Sequence, residues 1–410
     1  MNDEAGARIR NPEERGRIKL RTQNAEAKAG SAVKGIGLYI HVPFCRKKCA
    51  YCDFVSYPYA PEAAEQYLGA LEGEIRLWSE KLGTELTIKT VYVGGGTPTS
   101  LPPGMLGRLL ALPRAHFFIL PGAEVTVEAN PGTLAEESLA VLRDAGVNRL
   151  SIGVQATEDR LLRILKRGHT VAEAYQVFAA ARAAGFTNIN LDLIFGIPGQ
   201  DYAAWEKTLA EAVALGPEHI SAYSLELYPE TPLGRATAAG TVTVCSEEAV
   251  REMYLGAIDF LTAFGYVHYE ISNFARPGKE SRHNRLYWEG EPYLGLGPGA
   301  HSYLNGCRWA NVTGLAEYCG AVAGKRLPVA ETVHLTPAEE MAEAMFLGLR
   351  LIAGVSSSRF QARFGRSPEA AYGAVITRLV EQGLLDRAGG CLRLTRKALP
   401  VANIVFTAFV

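Results

Sequence analysis

The stretch that decides the fold is Tyr39-Ile-His-Val-Pro-Phe-Cys45-Arg-Lys-Lys-Cys49-Ala-Tyr-Cys52-Asp-Phe54. An apolar run, Leu38–Val42, leads into a loop carrying three cysteines in the spacing C-x₃-C-x₂-C. Three thiols within eight residues can face one ion or one cluster, and Arg46, Lys47 and Lys48 between the first two favour thiolate over thiol. Two assignments compete. A structural zinc site would close with a second C-x₂-C unit or with histidines, and the chain has no second unit. A cubane [4Fe-4S] cluster ordinarily takes four cysteines, so three would leave one iron open to a further ligand.

Outward from that loop, short apolar runs recur at Val91–Val93, Val125–Glu128, Leu150–Val154, Ile189–Phe195 and Ile220–Leu227. Between the first two runs Leu68, Leu71, Ile75, Trp78 and Leu82 repeat at helical steps. Thr133 and Glu136 have the spacing of a capping box, with Gly146 as the helix stop. Strands alternating with helices predict βαβ units and a parallel sheet. Six units exceed a small wound sheet and fall short of an eightfold barrel, although a doubly wound sheet also fits the pattern. Sites in such folds lie at the C-terminal strand ends. There the chain places Gly94–Thr99, then Glu128 and Asn130, Gln155, Arg167 and His169, Asn190 and Asp192, and Gly196–Gln200. A glycine run lets backbone N–H groups approach an anion, or simply makes a tight turn. Taken together, these positions suit a ribose, an adenine and a carboxylate.

The chain has 410 residues, beyond the roughly 150 of one domain, which predicts two domains or a large barrel with an appendage. With 48% hydrophobic and 21% charged residues it reads as an ordinary soluble protein with a sizeable core. Forty-two basic against 43 acidic residues leave no electrostatic footprint for nucleic acid or an anionic membrane. No apolar run is long enough for an integral membrane segment, and the mixed charges of the first residues do not read as a secretory signal. A cytoplasmic location is the expectation. Seven cysteines, an odd number without an export signal, argue against disulfides. Of these, Cys245, Cys307, Cys319 and Cys391 are scattered and read as packing residues.

Residues 1–35 read as a disordered polar leader. Asp3, Glu4, Glu13 and Glu14 argue against the alternative of a basic or transit-like arm. Residues 36–240 carry the strand–helix alternation. Residues 241–330, rich in glycine, tyrosine and proline with loops such as Gly295–Gly299, read as a barrel extension and linker. From Pro337 a helix presents Met341, Ala344, Met345, Leu347, Gly348 and Leu351. A helix at Ala371–Glu381, a strand at Cys391–Leu394 and a final helix then complete residues 331–410 as a small winged-helix-like domain. Its nine basic and seven acidic side chains fit packing or a partner surface better than DNA.

On the cysteine motif and the Gly94–Thr99 loop, the chain resembles the radical S-adenosylmethionine (SAM) superfamily. The resemblance implies an α/β fold, a partial (β/α)6 TIM-type barrel, with a [4Fe-4S] cluster on Cys45, Cys49 and Cys52. It also implies that the open iron chelates S-adenosyl-L-methionine, whose reductive cleavage yields a 5′-deoxyadenosyl radical. Within the superfamily the chain is most similar to the coproporphyrinogen III dehydrogenase-like group, and there to the HemW-type heme chaperones. Matching segments are Tyr39–Phe54, Gly94–Thr99, Asn148–Gln155, Asn190–Gln200, Tyr269–Ala275, His283–Trp288 and Gly295–Tyr303. SAM contacts implied by the match are Tyr39, Tyr51, Gly95, Gly96, Thr97, Glu128, Gln155, Arg167 and Asp192.

Three departures matter. The dehydrogenases carry a further cysteine two positions after the third, where this chain has Phe54. The leader does not resemble theirs, and Ala156 replaces the serine common after the glutamine. The segment His283-Asn-Arg-Leu-Tyr287-Trp288 is instead the chaperone motif associated with heme. It implies His283 as a ligand to heme iron, with Tyr287 and Trp288 covering the macrocycle; on a helix His283 and Tyr287 share a face. The competing role is a hydrogen-bonded histidine beside two packed aromatics. The function implied is to bind heme and deliver it to haemoproteins, such as respiratory and membrane-associated enzymes. The alternative is an oxygen-independent coproporphyrinogen III dehydrogenase, or another radical SAM enzyme acting on a tetrapyrrole. The Gly295-x-Gly297-x-Gly299 run is not read as a dinucleotide fingerprint, because no strand signal precedes it and its final glycine spacing is wrong.

Overall fold

The computed structural model of the protein describes residues 35–83 and 86–410. The leader expected over residues 1–35 lies, Gly35 apart, outside the described residues. The six apolar runs become six parallel strands: β1 (Ile36–Val42), β2 (Thr87–Gly95), β3 (Phe118–Ala129), β4 (Arg149–Gln155), β5 (Ile189–Phe195) and β6 (His219–Ser224). Neighbours pair in parallel and in sequence order from β1 to β6, so each connection crosses over the sheet. The crossover helices are α1 (Pro61–Leu82), α2 (Pro103–His116), α3 (Glu136–Asp144), α4 (Val171–Ala183) and α5 (Tyr202–Ala214). Strand β4 is buried along its whole length, as a parallel strand covered on both faces must be.

Three local expectations change. The sixth run is strand only to Ser224 rather than Leu227, with Leu225 N–H still donating to the Phe195 carbonyl of β5 at 2.9 Å. Thr133 makes no capping box: its hydroxyl donates to the Asn130 carbonyl (2.9 Å) and sits 2.7 Å from that of Thr99, and Ala135 takes the N-cap of α3. Gly146, at φ +79°, comes just after the end of that helix. Capping boxes occur instead at Thr170/Glu173, before α4, and at Thr336/Glu339.

Residues 241–330 are far more regular than loops. After α6 (Glu247–Ala263) come β7 (Val267–Glu270), β8 (Asn273–Ala275), α7 (Arg282–Trp288), β9 (Tyr293–Leu296), β10 (His301–Leu304), β11 (Cys307–Asn311), α8 (Leu315–Ala323) and β12 (Val329–His334). All their strands join the barrel sheet, in the order β12-β11-β10-β9-β1-β2-β3-β4-β5-β6-β8-β7. Strand β9 runs parallel beside β1, with Tyr39 opposite Gly295. Gly295 thus lies in a strand, and the element after Gly299 is β10 rather than the helix a dinucleotide fold requires. The buried Glu74 of α1 clamps this extension. Its carboxylate accepts from Gly297 N–H (2.8 Å), Asn311 Nδ2 (2.7 Å) and the Tyr318 hydroxyl (2.7 Å).

The C-terminal part runs α9 (Pro337–Gly348), β13 (Val355–Ser356), α10 (Ser357–Phe364), α11 (Pro368–Glu381), β14 (Leu385–Ala388), β15 (Cys391–Leu394) and α12 (Ala402–Phe406). Helix–strand–helix–helix–strand–strand, with β15 central in its sheet, is the winged-helix order. Met345, Phe360, Ile376 and Leu379 fill its core. Residues Gly35–Val410 form one compact unit, and no described helix is long and apolar enough to cross a membrane.

Candidate cofactor site

The cysteine loop is pinned at its base and its middle. Phe44 and Cys45 pair in parallel with Tyr57 and Pro58, while Tyr57 N–H donates to Pro43 (2.7 Å) and Tyr59 N–H to Cys45 (3.0 Å). Ala50 N–H reaches the Leu165 carbonyl (3.0 Å), and the Ala50 carbonyl accepts from Leu233 (2.8 Å). Cys45, Cys49 and Cys52 are half-buried free thiols at the mouth of a cavity of about 380 Å³ over the C-terminal ends of the barrel strands. Arg46, Lys47 and Lys48 are exposed. Burial pushes the Cys45 thiol up and the Cys52 thiol up to about 11, with Lys48 opposing only weakly at Cys52.

Arg167 binds this loop to the barrel. Its Nη1 donates to Cys49 Sγ at 3.2 Å, and Nη2 donates to the Gly153 carbonyl (2.8 Å) and to Asn130 Oδ1. A guanidinium against a cysteine sulfur offsets the negative charge of thiolate ligands. Among the described residues, no three His, Cys, Asp or Glu side chains close on one point as a single ion would require. A cubane takes each thiolate on a different iron and needs no such convergence, so three cysteines with a paired guanidinium fit it.

The glycine loop is occupied from within. Gly96 N–H donates to Val42 (2.8 Å), Thr97 N–H to Phe44 (2.7 Å) and Gly95 N–H to Glu128 Oε2 (3.1 Å), so of the two readings of the glycine run these amides make the tight turn. The close packing they allow brings β2 against the cysteine loop. Glu128 also accepts from the Tyr92 hydroxyl (2.8 Å), and burial raises its carboxyl to about 7. Asp192 accepts from Ser151 Oγ (3.0 Å) and Asn190 Nδ2 (2.8 Å); burial raises it too. Gln155 ends β4 at φ +70°, a left-handed conformation costly for a residue with a Cβ and typical of functional positions.

Of the residues implied as SAM contacts, Tyr51, Gly95, Gly96, Thr97, Glu128, Gln155, Arg167 and Asp192 line the cavity. Tyr39 does not: its hydroxyl lies 3.1 Å from His41 Nδ1 and its ring packs near Tyr92. His169 is buried against the Val154 carbonyl (3.2 Å), outside that lining. Tyr92, Ser151, Tyr223, Ser224 and Tyr228 also line the cavity and escape sequence reading. The inward alternation of Thr90, Tyr92 and Gly94 on β2 would have revealed Tyr92.

His283, Tyr287 and Trp288 do not line this cavity. His283 is buried at the start of α7, with Nδ1 2.8 Å from the Thr90 hydroxyl and Nε2 2.8 Å from that of Tyr287. Both ring nitrogens are thus hydrogen-bonded within the protein. Glu124 accepts from the N–H groups of Arg282 and His283, both at 2.9 Å. The indole of Trp288 lies under the Arg350 guanidinium, 4.2 Å from its centroid. Burial holds His283 neutral, lowering its pKa to about 3. A histidine so depressed contributes stability above its unfolded pKa of about 6.5 that is lost as pH falls below it. His283→Gln should therefore narrow the difference in unfolding free energy between pH 7 and pH 5 by about 2 kcal/mol, measured by urea denaturation. Parallel profiles for variant and wild type would refute the neutral, enclosed imidazole.

A partial barrel with a three-cysteine loop after its first strand defines a radical SAM protein, and residues 39–212 match the model of the radical SAM superfamily. Membership implies a [4Fe-4S] cluster and SAM. Residues 335–401 match the HemN C-terminal domain. The chain belongs to the HemW heme chaperone family: it is 41% identical over 374 residues to heme chaperone HemW of Bacillus subtilis, covering 90% of this chain and 98% of that one. The HemW of Mycobacterium tuberculosis H37Rv is 38% identical, over 90% and 93%. Among solved structures, coproporphyrinogen III oxidase (HemN) from Escherichia coli superposes with a TM-score of 0.81 at 26% identity, covering 92% of this chain and 90% of that one.

Proposed function

We propose that this protein binds heme and passes it to haemoproteins, using the radical SAM barrel as scaffold. The observation that carries this reading is similarity to a heme chaperone over 98% of that protein's length. Cys45, Cys49 and Cys52 hold the cluster, and Arg167 balances its charge at Cys49. Glu128, Gln155 and Asp192, already oriented by hydrogen bonds or backbone geometry, bind the polar groups of SAM, and the Tyr51 ring covers an apolar edge. When bound, cluster and SAM together supply one-electron reductive chemistry. The protein's part is to orient them and to limit water at the cavity. Phe54, 61% exposed at the cavity mouth, stands where the dehydrogenases carry their additional cysteine.

The second reading, oxidative decarboxylation of coproporphyrinogen III, draws support from the superposition with the HemN oxidase across 90% of that chain. A shared fold does not carry the reaction with it. One experiment separates the two. The protein is reconstituted anaerobically, and coproporphyrinogen consumption with SAM and reductant is monitored beside a hemin titration. Hemin binding without conversion is the expected result, and sustained formation of protoporphyrinogen would overturn the chaperone reading.

A further inference from the structure

A second cavity, about 590 Å³ and so larger than the first, adjoins it and shares Ser224 and Glu226 as a common wall. It lies between the end of β6, the first turns of α6 and the segment Leu399–Ile404 before and within α12. Phe195, Tyr254, Ile271, Leu399, Val401 and Ile404 give it a broad apolar surface, and at its rim Val401 and Ile404 are 40% and 62% exposed. Apolar side chains left open beside a cavity mark a place where an apolar ligand would be covered.

One wall carries a cation that makes no ion pair among the described residues. Arg350 lines the cavity with its guanidinium stacked on Trp288 (4.2 Å) and 6.0 Å from the Phe406 ring, and its Nε is buried without a hydrogen-bond partner. Glu270 is its nearby carboxylate: burial raises the Glu270 carboxyl and the Arg350 guanidinium opposes that rise, yet the two form no ion pair within 4 Å and Glu270 Oε2 has no hydrogen-bond partner either. Its Oε1 accepts from Ser272 N–H (3.0 Å) and from Asn273. Of the other charged lining groups, Glu226, Glu247 and Glu248 are exposed and Arg251 is paired with Glu248 at 2.9 Å. A stacked guanidinium without an ion pair, beside the apolar surface of Leu399, Val401 and Ile404, suits a ligand with a wide apolar body and a carboxylate at one edge.

We infer that this second cavity is the tetrapyrrole site: the macrocycle lies against Leu399, Val401 and Ile404, and one propionate pairs with Arg350. The inference rests on the heme-binding reading above and gives it a location. It also gives Trp288 a role. Trp288 is a positioning residue that holds Arg350 toward the cavity without lining it, which connects the His283–Trp288 segment to heme through a contact.

The test titrates the reconstituted full-length protein with hemin, protoporphyrin IX and protoporphyrin IX dimethyl ester, read by tryptophan quenching and the Soret band. Wild type should bind the two free acids and bind the ester roughly tenfold more weakly, as loss of a charge-assisted pair predicts. Arg350→Gln and Ile404→Glu should each weaken hemin binding by about tenfold or more while keeping wild-type iron content. Trp288→Leu should weaken the free acids and leave the ester unchanged. Ile404 is exposed, so its variant folds and decides the matter even if Arg350→Gln does not. Unchanged hemin affinity in Ile404→Glu would overturn this location and leave the chaperone reading intact. Failure of the wild type to bind any tetrapyrrole would remove both.

Discussion

Cys49→Ala should yield a protein that folds but emerges from anaerobic reconstitution nearly colourless, with most of its iron gone. Cys49 is the central thiol of the loop and the one that Arg167 contacts, at 3.2 Å. Its removal subtracts one of three ligands and leaves a buried guanidinium, whose Nε already lacks a partner, with one acceptor fewer. Loss of an outer-shell partner alone typically costs about 10–100-fold in metal affinity, and loss of a ligand should cost more. The fold should survive, because the loop is held by backbone hydrogen bonds at Tyr57, Tyr59 and Ala50 rather than by its thiols. Cys391→Ala, in β15 of the winged-helix part, is the matched control and should retain full iron. Iron determination with the visible spectrum decides; a Cys49→Ala protein with wild-type iron would refute the ligand set.

Gly96→Ala should be nearly as damaging without touching a ligand. A Cβ at Gly96 would stand 2.6 Å from the Phe44 carbonyl oxygen, 2.8 Å from that of Val42 and 2.9 Å from the Phe44 nitrogen. All three are backbone atoms of the segment entering the cysteine loop, so no side chain can rotate away. Forced overpacking typically costs about 1–3 kcal/mol, and here the strain falls on the residue adjoining Cys45. The expected outcome is a melting temperature several degrees lower, together with iron occupancy and SAM affinity reduced by about an order of magnitude. Gly104→Ala provides the contrast, since a Cβ there meets nothing within 4 Å, and in helix α2 it should be neutral or mildly stabilising. Wild-type iron and SAM affinity in Gly96→Ala would mean that the two loops are not mechanically coupled.

Much of the barrel was legible because parallel strands buried on both faces leave continuous apolar runs, as at Ile189–Phe195. Residues 241–330 were not. Their strands are short, and several rely on glycine for close approach, as Gly295 does beside His301, so propensity points to loops where pairing with β1 makes a strand. Thr133 shows the same limit at smaller scale. Its spacing to Glu136 satisfies a capping box, yet the Thr99 hydroxyl, thirty-four residues away, takes part in its hydrogen bonding instead. Tyr39 and Tyr92 pair in register on neighbouring strands and share one face of the sheet, so pleat does not separate them; it is the packing around them that leaves Tyr92 lining the cavity and the Tyr39 hydroxyl against His41.

What the sequence by itself determined is the chemistry available: three cysteines at cluster spacing on one loop, polar residues at successive strand ends, and Phe54 in place of a further cysteine. Those features depend on local spacing, which the chain carries wherever it folds. Only the tertiary structure decided how they are used. It enclosed His283 between two hydroxyls, filled the glycine-loop amides with backbone and carboxylate acceptors, and set Arg167 on Cys49 from 118 residues away. It also brought Arg350 and Leu399–Ile404 beside the barrel mouth, forming a second cavity that no motif announces. Hydrogen-bond satisfaction and burial are long-range properties, fixed by which segments pack together, and the order of residues along the chain does not display them.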